Sequence, residues 1–165
     1  MRECHFDIET RSTCDLKDCG AEVYFAHPTT DLWCFSYAFD DEPVQSWWRG
    51  QTMPFDIQEH IADGGTVLAH NAGFEWLGVN RVLVQRYGWP ELRFEQMQCT
   101  AAMAAAMALP RPLEQVGLAL GLEFKKDMDG NRLMRMMAQP RRIEGTEIIW
   151  WDDAVKLARL VKYCE

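Results

Sequence analysis

Glu3-Cys4-His5-Phe6-Asp7-Ile8-Glu9, near the start of the chain, alternates strictly: Cys4, Phe6 and Ile8 fall on one side, and Glu3, His5, Asp7 and Glu9 on the other. Period two is the mark of a β-strand with one face in a core. It also sets Asp7 and Glu9 on the same face, about 7 Å apart between Cα atoms. Two carboxylates at that spacing can reach one hard cation, because magnesium and manganese take oxygen ligands. A second Asp-x-Glu, Asp40-Asp41-Glu42, lies between two strand patterns and reads as a hairpin turn.

Those two patterns, Asp31 to Phe39 and Pro43 to Trp48, extend the first strand into a meander. Further on, a short helix is predicted over Phe55 to Ala62, closed by Gly64-Gly65, and an apolar strand over Thr66 to His70. Asn71 then caps a helix that runs to Tyr87 and stops at Gly88, with Pro90 beyond. After Gln98 the pattern turns helical over Thr100 to Leu109, Pro112 to Leu120 and Asn131 to Ala138. A last helix starts from Asp152 or Asp153, and residues 139–142 read as a loop. Strands first, helices later and alternation between them predict an α/β fold, a central mixed β-sheet flanked by helices.

The chain has 165 residues, 48% of them apolar. That is enough to bury a core without disulfides or a structural metal. Its longest apolar run, Ala101 to Leu109, is half of what a bilayer requires, and the acidic N-terminus is unlike a signal peptide. The reading is a cytoplasmic protein with no membrane partner. Six cysteines form no Cys-x-x-Cys pair and are expected to be reduced, mostly buried thiols; the nine methionines are expected to fill the core.

A formal net charge of −8 argues against gripping nucleic acid by bulk electrostatics. The charge is unevenly spread. Residues 1–110 hold 7 basic and 16 acidic side chains, and residues 111–165 hold 10 and 9. The acidic part suits cations, and the C-terminal third suits a polyanion's backbone.

Two further features carry chemistry. His70-Asn71-Ala72-Gly73-Phe74-Glu75 spans a strand-to-helix junction, where open sheets place ligands, and Glu75 falls in the first helical turn, which the macrodipole also favours. In the last helix Leu157, Leu160, Val161 and Cys164 form an apolar stripe, whereas Tyr163 lies in the basic sector of Lys156, Arg159 and Lys162. A phenol placed there points to a polar task. Trp33, Phe35, Trp47, Trp48 and Trp76 read as packing residues, and Arg132, Arg135, Arg141 and Arg142 as a solvated surface. Asp127-x-Asp129-Gly130-Asn131 has its glycine too early for an EF-hand and no glutamate at the twelfth position.

Taken in order, these features resemble the three motifs of the DEDDy branch of DnaQ-like 3′-to-5′ exonucleases. More closely, "FDIET" (6–10), "LAHNAGFEW" (68–76), "KKDMDGNRLM" (125–134) and "LVKYCE" (160–165) resemble the proofreading domain of phage-type family A DNA polymerases. The resemblance implies a ribonuclease H-like fold and a metal-dependent enzyme that removes nucleoside 5′-monophosphates from single-stranded DNA 3′ ends. It implies two divalent cations, Mg2+ or Mn2+, held by Asp7, Glu9 and Glu75, where Glu75 replaces the family's usual Asp. It further implies that Tyr163 orients the attacking water and that Thr10, Asn71 and Phe74 contact the nucleic acid.

The third motif places an Asp four residues after its tyrosine, at position 167, and the chain stops at Glu165. The expectation is one exonuclease domain over residues 1–165, truncated from a longer chain whose polymerase domain is its partner, in a bacterial or phage-infected cell. The alternatives are a catalytically silent single-strand-binding module with an incomplete metal site, and an RNA-trimming exonuclease of the same branch.

Overall fold

The alternating segment becomes β1 (Glu3–Arg11), the middle strand of a five-stranded mixed sheet ordered β3-β2-β1-β4-β5 in a computed structural model that describes residues 2–122 and 127–165. Lys125 and Lys126 of the "KKDMDGNRLM" motif lie outside the described residues. On one side β1 pairs antiparallel with β2 (Asp31–Phe39), which pairs antiparallel with β3 (Gln45–Trp48). On the other side it pairs parallel with β4 (Thr66–Ala69), and β4 pairs parallel with β5 (Met97–Cys99). This is the mixed, helix-flanked sheet that the sequence predicts.

The face carrying Cys4, Phe6 and Ile8 is covered by α1 (Leu16–Ala26), by α2 (Phe55–Ala62) and by a long helical run. That run begins as α3 (Ala72–Gly78), widens into a π-helical stretch over Val79–Val84 and closes as α4 (Gln85–Tyr87) before Gly88. Phe35, Tyr37, Trp47 and Trp89 complete this core, with Phe6 and Phe35 stacked at 4.9 Å. α3 lies so close to β1 that a Cβ on Gly78 would stand 2.3 Å from Ile8 Cδ1. The opposite face meets α7 (Met128–Met137) and α8 (Ala154–Cys164) through Trp33, Met137 and Leu160. The Trp33 indole N–H donates to the Met137 carbonyl at 2.8 Å, which fixes β2 to the end of α7.

Several expectations need correction. α1 was not anticipated. Asp15 starts it by accepting from the Lys17 amide, but Gly20, at φ 74°, breaks the helical geometry and with it the apolar pattern. The loop expected at residues 139–142 instead leads into a hairpin, β6 (Arg142–Glu144) and β7 (Glu147–Ile149), whose exposed first strand carries no hydrophobic alternation. The helix from Thr100 stops at Ala106 as α5, and the next spans Leu113–Ala119 as α6. Asn71 occupies the N-cap position of α3 in a left-handed conformation (φ 73°) and makes no side-chain capping bond. Met103, Met107 and Met128 are exposed, whereas Met137 is buried as expected.

The cysteines are reduced, with Cys4, Cys34 and Cys164 buried. No helix among the described residues is long and apolar enough to cross a membrane.

Candidate active site

Strand register builds the site. Parallel pairing of His5 with Leu68 carries β4 out of the sheet at His70, beside Asp7, so α3 begins at the carboxyl end of the strand pair. Open sheets leave a crevice at such a point. Here it is a cleft of about 1190 Å³ whose walls include Asp7, Glu9, Thr10, Phe74, Glu75, Arg135, Lys162 and Tyr163. Carboxylates from two segments far apart in sequence, and the phenol from a third, therefore face one cavity.

Asp7 is exposed to the cleft although protein surrounds most of its carboxylate, and Glu9 is buried beside it. One oxygen of each and the Cys164 sulfur lie within 4.8 Å of one another. Burial, eased by the Ile8 amide and the nearby His70, pushes the Asp7 carboxyl up to about 6. Burial and then the charge of Asp7 raise Glu9 well above the carboxylate range.

Glu75, 5% exposed, comes from the first turn of α3, and its Oε2 has no hydrogen-bond partner. Burial raises its pKa to about 8; its own backbone N–H works against the shift, and Asp7 and Cys99 add to it. Glu75 does not join the close Asp7, Glu9 and Cys164 grouping, but an orphaned, buried carboxylate oxygen on the wall of the same cleft is costly without a positive partner. The donor set, oxygen-rich and clustered, fits hard divalent cations.

Tyr163 is held from α7. Asn131 Nδ2 donates to its hydroxyl at 3.1 Å, and Gly130 packs against its ring so tightly that a Cβ there would stand 2.3 Å from Cδ2. Asp127 caps α7 through the Gly130 amide and pairs with Arg159 of α8, which locks the two helices in register. Across the cleft, Thr10 Oγ1 and the Tyr24 hydroxyl are 2.8 Å apart, and Phe74 packs on Phe25 at 4.8 Å. His70 is bonded to Thr100 Oγ1 at 3.0 Å and to the Arg111 carbonyl at 2.8 Å, which ties the segment between α5 and α6 to the rim.

Of the expected site residues, Asp7, Glu9, Thr10, Phe74, Glu75 and Tyr163 line the cleft, and Asn71 does not; it is exposed at the mouth of α3. Arg135, read from sequence as surface, lines it as well. Sequence reasoning missed Cys164, whose place on the apolar stripe of α8 hid its position against the carboxylates. It also missed Asn131, for which the only signal was its place in the "KKDMDGNRLM" motif.

No protein-family model matches the chain. It is 33% identical over 143 residues to the DNA polymerase of Bacillus phage SP02, a match covering 85% of this chain and 21% of that polymerase. The chain is therefore homologous to part of a phage DNA polymerase and spans about a fifth of that relative's length. Among solved structures it is similar to the family B DNA polymerase of the hyperthermophilic archaeon Pyrobaculum calidifontis. The TM-score is 0.54 at 13% identity, over 99% of this chain and 22% of that one, a likeness of fold.

Proposed function

We propose that this chain, homologous to a stretch of a phage DNA polymerase, acts as a metal-dependent 3′-to-5′ exonuclease that removes nucleotides from single-stranded DNA ends. The observation that carries the reading is the convergence of Asp7, Glu9 and Glu75 on one cleft, with Glu75 Oε2 buried and unpartnered. Such a cluster is costly to the apo fold and is explained if cations complete it.

In this reading Asp7, Glu9 and Glu75 hold two divalent cations, Mg2+ or Mn2+. When bound, those ions supply charge stabilisation to the attacking and leaving oxygens of a phosphodiester. Tyr163, fixed by Asn131, orients the attacking water through its phenol. Phe74 offers an aromatic face to the terminal base, and Thr10 a hydroxyl to the terminal sugar. Arg135 and Lys162, on the basic C-terminal third, neutralise phosphates. In this reading the cleft takes a frayed single strand rather than a duplex. Asn71, outside the cleft, contacts the strand only where it enters.

The test incubates a 5′-labelled single-stranded oligonucleotide with Mn2+. The expected result is a ladder shortening from the 3′ end, with nucleoside 5′-monophosphates released and the activity lost in Asp7→Ala. A parallel reaction uses a chain extended through an Asp at position 167, since that position lies about 40° from Tyr163 around the helix. No ladder in either form, or a ladder unchanged in Asp7→Ala, overturns the enzyme reading. Tight binding of the oligonucleotide without cleavage would leave a binding module, and faster shortening of RNA than of DNA would make the chain an RNA-trimming enzyme.

A further inference from the structure

We infer that Cys164 is a sulfur donor in the Asp7–Glu9 cation pocket, and that it biases the pocket toward borderline ions such as Co2+ or Zn2+ over Mg2+. The inference rests on the metal-dependent reading above for the existence of the pocket, and adds a ligand and an ion preference to it.

The geometry points this way. The Cys164 sulfur and one oxygen each from Asp7 and Glu9 lie within 4.8 Å of one another. Three donors spaced around one ion stand about 3.4 to 3.8 Å apart, given metal–sulfur and metal–oxygen bonds of about 2.3 and 2.0 to 2.2 Å. A closure on the order of 1 Å brings the three atoms to a shared ion. Cys164 shares a small apolar cluster with Cys34, Val161 and Leu157, yet its sulfur also lies within 4.8 Å of one oxygen each from two carboxylates and is hydrogen-bonded to the Cys34 thiol.

Strand register explains the placement. Cys34 of β2 sits directly opposite Glu9 of β1, so a residue of α8 that packs over Cys34 is carried to the Glu9 carboxylate. A second observation is independent of the sulfur: Glu75 Oε2, from another segment, is buried without a partner on the wall of the same cleft. Carboxylates alone suit Mg2+, and a thiolate adds affinity for softer ions while adding little for Mg2+. On coordination the thiol proton passes to solvent.

The test titrates the intact metal-free chain with Co2+ and follows the near-ultraviolet thiolate-to-cobalt charge-transfer band. The band is expected in the native chain and in Cys14→Ser/Cys19→Ser, whose sulfurs, 2.6 Å apart, lie outside the three-residue cluster. It is expected to vanish in Cys164→Ser, in Cys164→Ala and in Asp7→Asn. Zn2+ affinity, read by competition, should fall roughly tenfold or more in Cys164→Ser while Mg2+ affinity stays within about twofold.

A band that survives Cys164→Ser, a band that disappears with Cys14 and Cys19, or Co2+ binding without any band overturns the inference. Using two substitutions at Cys164, each checked by thermal melting, separates loss of a ligand from loss of the fold. The outcomes also separate the two readings. A band without DNA cleavage sinks the exonuclease and leaves the sulfur site standing; Mg2+-dependent cleavage without a band does the reverse.

Discussion

Asn131 donates to the Tyr163 hydroxyl across the α7–α8 interface, and the absence of a side chain at Gly130 is what lets the two helices approach closely enough for it. The phenol is thereby fixed from a helix other than its own. In the proposed mechanism Tyr163 orients the attacking water, and such a group works only if its own position is over-determined, because a displacement on the order of 1 Å can cost about a hundredfold in rate. Asn131→Ala and Gly130→Ala are therefore expected to lower the single-turnover cleavage rate by about ten- to a hundredfold. Affinity for single-stranded DNA should stay within about twofold. Cleavage by Asn131→Ala at the native rate would show that Tyr163 needs no such support.

A buried ion pair anchors the far end of β1. The Arg11 guanidinium lies between the Trp33 and Trp150 rings, 4.4 and 4.7 Å from their centroids, and meets the buried Asp31 carboxylate at 3.3 Å. Asp31 also accepts from the Tyr87 hydroxyl at 2.9 Å. The bond to Asp31 is made by Nη2, and Nε and Nη1 are buried without a hydrogen-bond partner, so removal of Asp31 strands a buried cation. Asp31→Ala should cost about 3 to 5 kcal/mol in urea unfolding, and Arg11→Met added to it should recover much of the loss. Additive losses in the double variant would contradict this account.

What could be read in the sequence follows from the length and burial of each segment. β1 and β2 are nine residues each, and β1 alternates as far as Glu9, so the bounds of β2, the start of β1 and the shared face of Asp7 and Glu9 were legible; β1 runs on to Arg11 past an irregularity between Glu9 and Thr10 that ends the alternation. The bounds of α2 were legible too, from the spacing of Ile57 and Ile61 and the Gly64-Gly65 stop. β5, β6 and β7 have three residues each, too short for any period to declare itself. The π-helical stretch after Gly78 and the left-handed Asn71 are set by how α3 settles onto β1, a tertiary demand that leaves no local signature. The same holds for Cys164. On its own helix it belongs to the apolar stripe, and only the register of β2 against β1 brings carboxylates to it.

The raised carboxylates make metal-free stability depend on pH in a stated direction. Glu75 has its pKa lifted from 4.5 to about 8 and Glu9 is also raised, so the folded state binds these protons more tightly than the unfolded chain does. Their contribution is fully present below about pH 4.5 and is lost as pH rises through the folded values. The melting temperature of the metal-free chain should fall between pH 5 and 8, at up to about 1.4 kcal/mol per pH unit for each group titrating. Asp7, raised only to about 6, adds less because its shift is smaller. Mn2+ at pH 8 should restore the loss, since an ion that binds only the folded state stabilises it by mass action. A melting temperature that rises over this window without metal would contradict the assignment.

Glu75→Gln separates the cost of the site from its use. The substitution keeps shape and length and removes the charge that burial opposes. In a metal-free chain at pH 8 the variant should melt higher than the native protein, by on the order of 5 °C. Its pH dependence should flatten over the same window, because a carboxyl raised to about 8 is gone. With divalent cations the ranking should invert: the native chain gains stability on Mn2+ addition, and the variant, lacking one anionic donor, gains less. Both halves are needed. A higher metal-free melting point alone is what neutralising any buried charge would produce, whereas a reduced Mn2+ response alone could come from a disturbed cleft. Only a carboxylate that is costly to the fold and useful to a cation gives the crossing of the two curves, and differential scanning calorimetry of the two chains with and without Mn2+ reads it directly.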